Sequence, residues 1–352
     1  MKKLIYIFIL ILSIGTVAYS HVDNNLLTEG CGSCHVGHGM DSEPMLEKSE
    51  EEFCYQCHGS GDKRSEMVSK GKLTSSVNLT NIEAEFDKLY RHPVKEGFGY
   101  SPTEKLPSFS GAPSTHAECV DCHNPHQRIN KSGKKIYEVS GYSLSGQYLE
   151  KSVYEYEICF KCHIDILNIS NDSKNSFKEF SLSTVSQHPV TRPSIKSGKI
   201  VSLNKSLGAS NTMKCSDCHR SGNQNGPKGP HGSNYRFLLS GNYEIGPFTD
   251  ESPMAYEFCY SCHDRSSILA NQSFPYHRQH IIGNMLNNVR GTSCYTCHAS
   301  HSSQRNDHLI DFNKEAVTIE KKTRKLMYIK TGIGNGECYL SCHGHEHSPA
   351  KY

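Results

Sequence analysis

All 16 cysteines of this 352-residue chain fall into one kind of string, two cysteines separated by two or three residues with a histidine directly after the second. The strings open at Cys31, Cys54, Cys119, Cys159, Cys215, Cys259, Cys294 and Cys338 and close at Cys34, Cys57, Cys122, Cys162, Cys218, Cys262, Cys297 and Cys342. The histidines that follow are His35, His58, His123, His163, His219, His263, His298 and His343. Two thiols at this spacing reach the two vinyl groups on one porphyrin edge while the adjoining imidazole swings beneath the ring to bind iron. A disulfide framework or a set of zinc sites also uses paired cysteines, but neither requires the histidine. Histidine is 21 of 352 residues, so eight such followers by accident have odds on the order of one in several billion. The residues imply eight covalently attached haem c groups. In the last string three residues separate Cys338 from Cys342; the wider loop leaves a disulfide or an unloaded pair as alternatives there.

Thirteen further histidines are available as second axial ligands. The first string of a pair tends to run on into another histidine, as in Cys119-Val-Asp-Cys-His-Asn-Pro-His126, with His38 and His301 in the same place and His231 delayed by a glycine-rich insertion. A second recurring element is Arg91-His92-Pro93-Val94, Gln187-His188-Pro189-Val190 and Gln279-His280-Ile281-Ile282. The gap from His92 to Cys119 equals that from His188 to Cys215, 27 residues, so these histidines hold equivalent places. An isolated histidine in a polar stretch is ordinarily a solvated loop residue; repetition is what singles these out. The expected ligands are His38, His92, His126, His188, His231, His280, His301 and His345. His347 competes with His345, and His21, His116, His277 and His308 stand in reserve. The methionines recur at no fixed place, so bis-histidine ligation and low potentials are expected.

These residues need elements to carry them. The strings group into four tandem pairs, with unit boundaries at about 21–113, 114–210, 211–290 and 291–352. The second string of the first three units follows a helix-start signal: Ser49-x-x-Glu52, Ser152-x-x-Glu155 and Ser252-Pro253. The residues around its first cysteine match, Phe53 and Tyr55, Ile158 and Phe160, Phe258 and Tyr260, and are expected to pack on ring edges. The polar stretches 59–76 and 168–186 read as surface loops. The expected fold is mostly irregular, with short α-helices wrapped around a stack of covalently bound haems and little or no sheet.

Composition agrees. Lys2 and Lys3 precede an apolar run from Leu4 to Val17, and Ala18-Tyr19-Ser20 supplies small residues for cleavage before His21, so residues 1–20 read as a signal peptide and the chain as exported, periplasmic or at the cell surface. That run is short for a bilayer span and no later one qualifies, which predicts no integral membrane segment in the mature chain. Only 36% of the chain is hydrophobic, lean for a conventional core, so porphyrins are expected to fill the interior and to couple haem attachment to folding. The formal net charge of +2 turns negative, to about −8, once propionates and ferric centres are counted. With no long basic block, nucleic acid is an improbable partner on chemical grounds.

Taken together, the strings resemble those of a family, the multihaem c-type cytochromes built from doubled C-x-x-C-H motifs, with Cys119 to His126 a good match. The likeness spans nearly the whole mature chain, apart from the C-x-x-x-C-H at Cys338. It implies electron transfer to other redox proteins in anaerobic respiration in the periplasm or outside the cell, including an outer-membrane porin–cytochrome complex. Some relatives self-assemble into filaments by ligation across subunits, and terminal His21, His345 and His347 raise that alternative here. A second alternative is an octahaem reductase or oxidase of a small nitrogen or sulfur compound. That would need an open iron, often marked by lysine in place of the proximal histidine, and no C-x-x-C-K string exists. The expectation is a carrier and not an enzyme, with no catalytic residue.

Overall fold

The computed structural model describes residues 21, 25–37, 45–75, 78–95, 117–127, 137–164, 176–193, 200–204, 207, 212–284, 289–332, 334–342 and 345–352. The expected signal peptide and the candidate ligands His38, His116 and His343 lie outside the described residues. Most of the described chain is irregular, with short helices and small antiparallel sheets.

The seven regular strings share one backbone device. The N–H groups of His35, His123, His163, His219, His263 and His298 each donate to the carbonyl of the first cysteine, four residues back, at 2.8–3.0 Å. His58 ends the helix Glu50–His58, which contains Cys54 and Cys57. In a helical turn, positions i, i+3 and i+4 share a face. Both thiols and the imidazole therefore leave the backbone together.

The helix-start signals mark the approach to each helix, but none of the three serines caps its helix through its side chain. Ser49 occupies the N-cap position of Glu50–His58, and three glutamates fill the first turn, where the helix dipole favours them. The second helix begins later than its serine, at Glu155–Cys159; its entry is closed by Glu157, whose carboxylate accepts the N–H groups of Val153 (2.7 Å) and Tyr154 (2.9 Å). The third, Glu257–Tyr260, follows a turn in which Ser252 Oγ accepts the Ala255 N–H at 3.0 Å.

Two expectations need correction. The stretch 59–76 is not simply a loop, because it contains the helix Gly61–Ser69, capped by Ser60 and anchored by buried Met67. Likewise 168–186 contains the helix Ser176–Glu179. One buried apolar side chain in the first helix and none in the second are too few to write a period into the sequence. Sheet is also more than negligible. Met327–Gly332, Asn335–Cys342 and His345–Lys351 form a three-stranded antiparallel sheet with Asn335–Cys342 in the centre, so the last cysteine string is extended.

Two-residue ladders join distant parts of the chain. Tyr90–Arg91 pairs with Gly232–Ser233, and Ser186–Gln187 with Ser302–Ser303. At Gly232 a Cβ would lie 1.8 Å from the Glu85 carbonyl oxygen, so only glycine permits that approach.

Burial is organised as repeated small cores. The clusters are Tyr55, Phe86 and Val94; Tyr156, Phe160 and Phe180; and Ala255, Tyr256 and Ile281. Against each packs the first cysteine of the following unit, Cys119, Cys215 or Cys294. Carboxylates reinforce the first two junctions. Glu50 accepts the Val120 N–H at 2.8 Å, and Glu155 accepts the Ser216 N–H at 2.7 Å and its hydroxyl at 2.9 Å. Each glutamate sits four residues ahead of one cysteine and grips the residue after the next, an offset the sequence displays but that carries no meaning until the two helices meet.

Burial raises the Glu50 carboxyl from its ordinary 4.5 to about 7, against the opposing effect of the Val120 hydrogen bond. The folded chain thus holds this proton more tightly than the unfolded chain, and its contribution to stability is lost as pH rises from about 4.5 to about 7. The slope should approach about 1.4 kcal/mol per pH unit within that window. Urea unfolding midpoints measured across the window should show the decline, and Glu50→Gln should flatten it.

Candidate haem-binding sites

The histidines that close the regular strings face other histidines. His35 and His126 stack with centroids 5.7 Å apart at 15°, their Nε2 atoms 3.4 Å apart. His123 and His231 stack at 6.0 Å. His58 faces His21 at 5.9 Å, His163 faces His92 at 6.3 Å, His219 faces His301 at 6.1 Å and His298 faces His277 at 6.3 Å. His263 and His188 lie within electrostatic reach of each other. Two imidazole nitrogens held about 2 Å either side of a metal ion put the ring centroids roughly 6 Å apart. The centroid separations of 5.7–6.3 Å lie near that value, with the His35 and His126 nitrogens closer together than an iron between them would hold them.

Tautomers agree with that use. Nδ1 donates to a backbone carbonyl in His21 (Pro125, 3.2 Å), His92 (Pro230, 2.5 Å), His188 (Ser300, 2.7 Å), His219 (Phe237, 2.9 Å), His280 (Tyr276, 2.8 Å) and His298 (His308, 2.8 Å). A carbonyl can only accept, so each Nδ1 carries the proton and Nε2 keeps its lone pair for a metal. Burial lowers His58, His163, His188, His219, His231 and His277 to about 4, which keeps them neutral at physiological pH.

The ladders explain how partners meet. His92 donates its backbone N–H to the His231 carbonyl at 3.2 Å, and His188 does the same to His301 at 3.0 Å. The equal spacing read from the sequence thus corresponds to equal geometry. The histidines facing the second unit's strings come from the first and third units, and those facing the third unit's come from the second and fourth.

Of the expected second ligands, His92, His126, His231 and His301 each face a string histidine, and His188 lies near His263. The chain ends differ. His21, held in reserve, faces His58 and donates to Pro125 just ahead of His126, the relation His92 has to Pro230 and His188 to Ser300. His277, also in reserve, faces His298. Nothing in their local sequence resembles the recurring elements, so only the fold could single them out. His308 offers His298 a backbone carbonyl.

The last site is built otherwise. His280 faces His347 at 6.2 Å, whereas His345 lies opposite Cys342 in the strand register and contacts the His347 ring edge-on at 5.4 Å. Cys338 and Cys342 sit on a strand with an irregularity between Cys338 and Leu340, and both act electrostatically on Cys297.

The cysteines lie in a file. Cys119 hydrogen-bonds to Cys54, Cys159 to Cys215 and Cys259 to Cys294, across the unit boundaries. Within units the second cysteines are neighbours: Cys34 with Cys57, Cys122 with Cys162, Cys218 with Cys262. Burial pushes Cys57 and Cys122 up to about 11 and Cys218 and Cys297 up to about 12. Among the described residues no group of three or more His, Cys, Asp or Glu side chains is arranged to hold a bare metal ion. All 16 cysteines are free. A cavity of about 3030 Å³ is lined by every cysteine from Cys54 to Cys342 except Cys57. That is several times the roughly 300–1,000 Å³ of a pocket for one small ligand, and it suits a row of large flat groups.

A family model, the doubled CXXCH motif, matches residues 25–63 and 208–267. No curated protein and no solved structure matches the chain. The doubled motif supports a multihaem c-type cytochrome, in which C-x-x-C-H strings bind haem c covalently and electron transfer is the associated role. The described residues contain no helix long and apolar enough to cross a membrane.

The facing pairs make a spectroscopic prediction. In the oxidised holoprotein His21→Ala and His277→Ala should each convert one low-spin haem to high-spin, read by EPR and optical absorption, while His345→Ala should convert none.

Proposed function

We propose that the chain is an exported octahaem electron carrier of four dihaem units, acting between other redox proteins in periplasmic or extracellular respiration. The observation that carries this reading is the cysteine file, in which neighbouring sites follow one another in sequence order from Cys31 to Cys342. Bound haem supplies a ferric–ferrous couple that accepts and passes single electrons. The protein's part is positional. Thiols in contact across unit boundaries would tether neighbouring groups, and the facing, buried histidines would hold a nitrogen to either side of a bound iron, which argues against an open position for a substrate there. The facing pairs speak for a carrier over a reductase or oxidase, which needs such a position. His21 and His347, which raised the filament alternative, face histidines of their own chain.

The intact mass of the mature protein should exceed that of the polypeptide by eight haems. Removing the fourth site with Cys159→Ala and Cys162→Ala should lower end-to-end conductance of oriented single molecules at least tenfold while the other sites stay low-spin. Unchanged conductance, or reversible binding of nitrite or hydroxylamine to a high-spin haem in the unmodified protein, would defeat the reading.

A further inference from the structure

Among the facing histidines one has an unusual second partner. Nδ1 of His301 is 2.6 Å from Oε2 of Glu179, where the Nδ1 atoms of His21, His92, His188, His219, His280 and His298 meet backbone carbonyls. Glu179 ends the helix Ser176–Glu179, and the next residue, buried Phe180, lays its ring against His301 at 5.1 Å. The imidazole is therefore held from two sides while its face toward His219 stays open. Glu179 and His301 are each about 27% exposed, so water screens the pair only in part.

The repeat supplies an internal comparison. Glu85-Phe86 stands in the first unit where Glu179-Phe180 stands in the second, and Phe86 packs edge-on against His231 at 5.7 Å just as Phe180 packs against His301. There the carboxylate is turned away. Glu85 pairs with Lys88 at 2.6 Å, and Nδ1 of His231 is buried without a partner among the described residues. The two sites thus differ at the Nδ1 partner of this imidazole.

A carboxylate acceptor draws the Nδ1 proton more strongly than a carbonyl and makes Nε2 a better electron donor. Its negative charge also favours the more positive oxidation state of a nearby iron. Resting on the haem reading above, we propose that Glu179 is a potential-setting residue: through His301 it holds the haem tethered at Cys215 and Cys218 at a lower reduction potential than its counterpart at Cys119 and Cys122. The site lies mid-file, between the Cys159–Cys215 contact and the Cys218–Cys262 approach.

The test is a potentiometric titration of full-length holoprotein, followed by optical absorption and EPR, after intact mass has shown the full haem count. Glu179→Gln should shift one haem's reduction equilibrium at least tenfold toward the ferrous form, about 59 mV for one electron, and alter one low-spin ferric EPR component. Glu179→Asp should recover most of the shift, and Glu85→Gln should leave the titration unchanged. Superimposable curves for Glu179→Gln and the unmodified protein, with all haems low-spin, would overturn the proposal and leave the carrier reading intact. Absence of haem at Cys215 and Cys218 would instead strike the reading beneath it. If Glu179→Gln loses haem or fails to fold, Glu179→Ala decides: a potential above that of the unmodified protein supports the assignment, and an unmoved one refutes it.

Discussion

The structure depends on the exchange of histidines between units. His123 and His163 of the second unit face His231 from the third and His92 from the first, and a backbone hydrogen bond joins those two suppliers. The third unit repeats the arrangement with His301 and His188. In an ordinary repeat protein each unit touches only its neighbours; here the first unit bonds directly to the third and the second to the fourth. Neither of these interior stretches pairs its string histidines with histidines of its own. Loss of one unit would leave neutral, buried imidazoles of others without their partners, a cost of the kind that makes buried polar networks cooperative.

The ends follow from the same constraint. His58 and His298 face histidines that lie outside the recurring elements. At the start His21 takes the place that His92 and His188 hold further on, down to the carbonyl its Nδ1 addresses. Near the other end His277 of the third unit, a turn ahead of His280 on the helix His277–Ile282, faces His298. One short helix thereby presents one histidine toward the string at Cys294 and another toward His347.

The final string shows what the helical turn contributes by lacking it. An extra residue between Cys338 and Cys342 breaks the i, i+3, i+4 arrangement. In a regular extended strand, thiols four residues apart would be separated by about 13 Å; the register irregularity beside this string places its extra residue on the partner strand, between His347 and Ala350. The sheet that holds this string is itself well anchored. Glu320, fully buried, accepts the N–H groups of Lys322 and Thr323 at 2.6 Å each and the Ser348 hydroxyl at 2.5 Å, fastening the preceding loop to the last strand.

Much of the chemistry is legible in the order of residues alone. The strings at Cys31 to Cys297 declare their use because thioether attachment and helical closure are local, confined to five residues, and the spacing of His92 and His188 exposes the repeat because equivalent places are kept at equal distances. Helices such as Gly61–Ser69 are hidden from such a reading because packing through a single residue, Met67, leaves no periodic mark. The strand form of the last string, the selection of His21 and His277, the junction carboxylates Glu50 and Glu155, and the contact of Glu179 with His301 are decided by the tertiary structure. Each joins residues tens to more than a hundred positions apart, or settles which of several near-equal candidates reaches a shared point, and neither local propensity nor spacing encodes that distance.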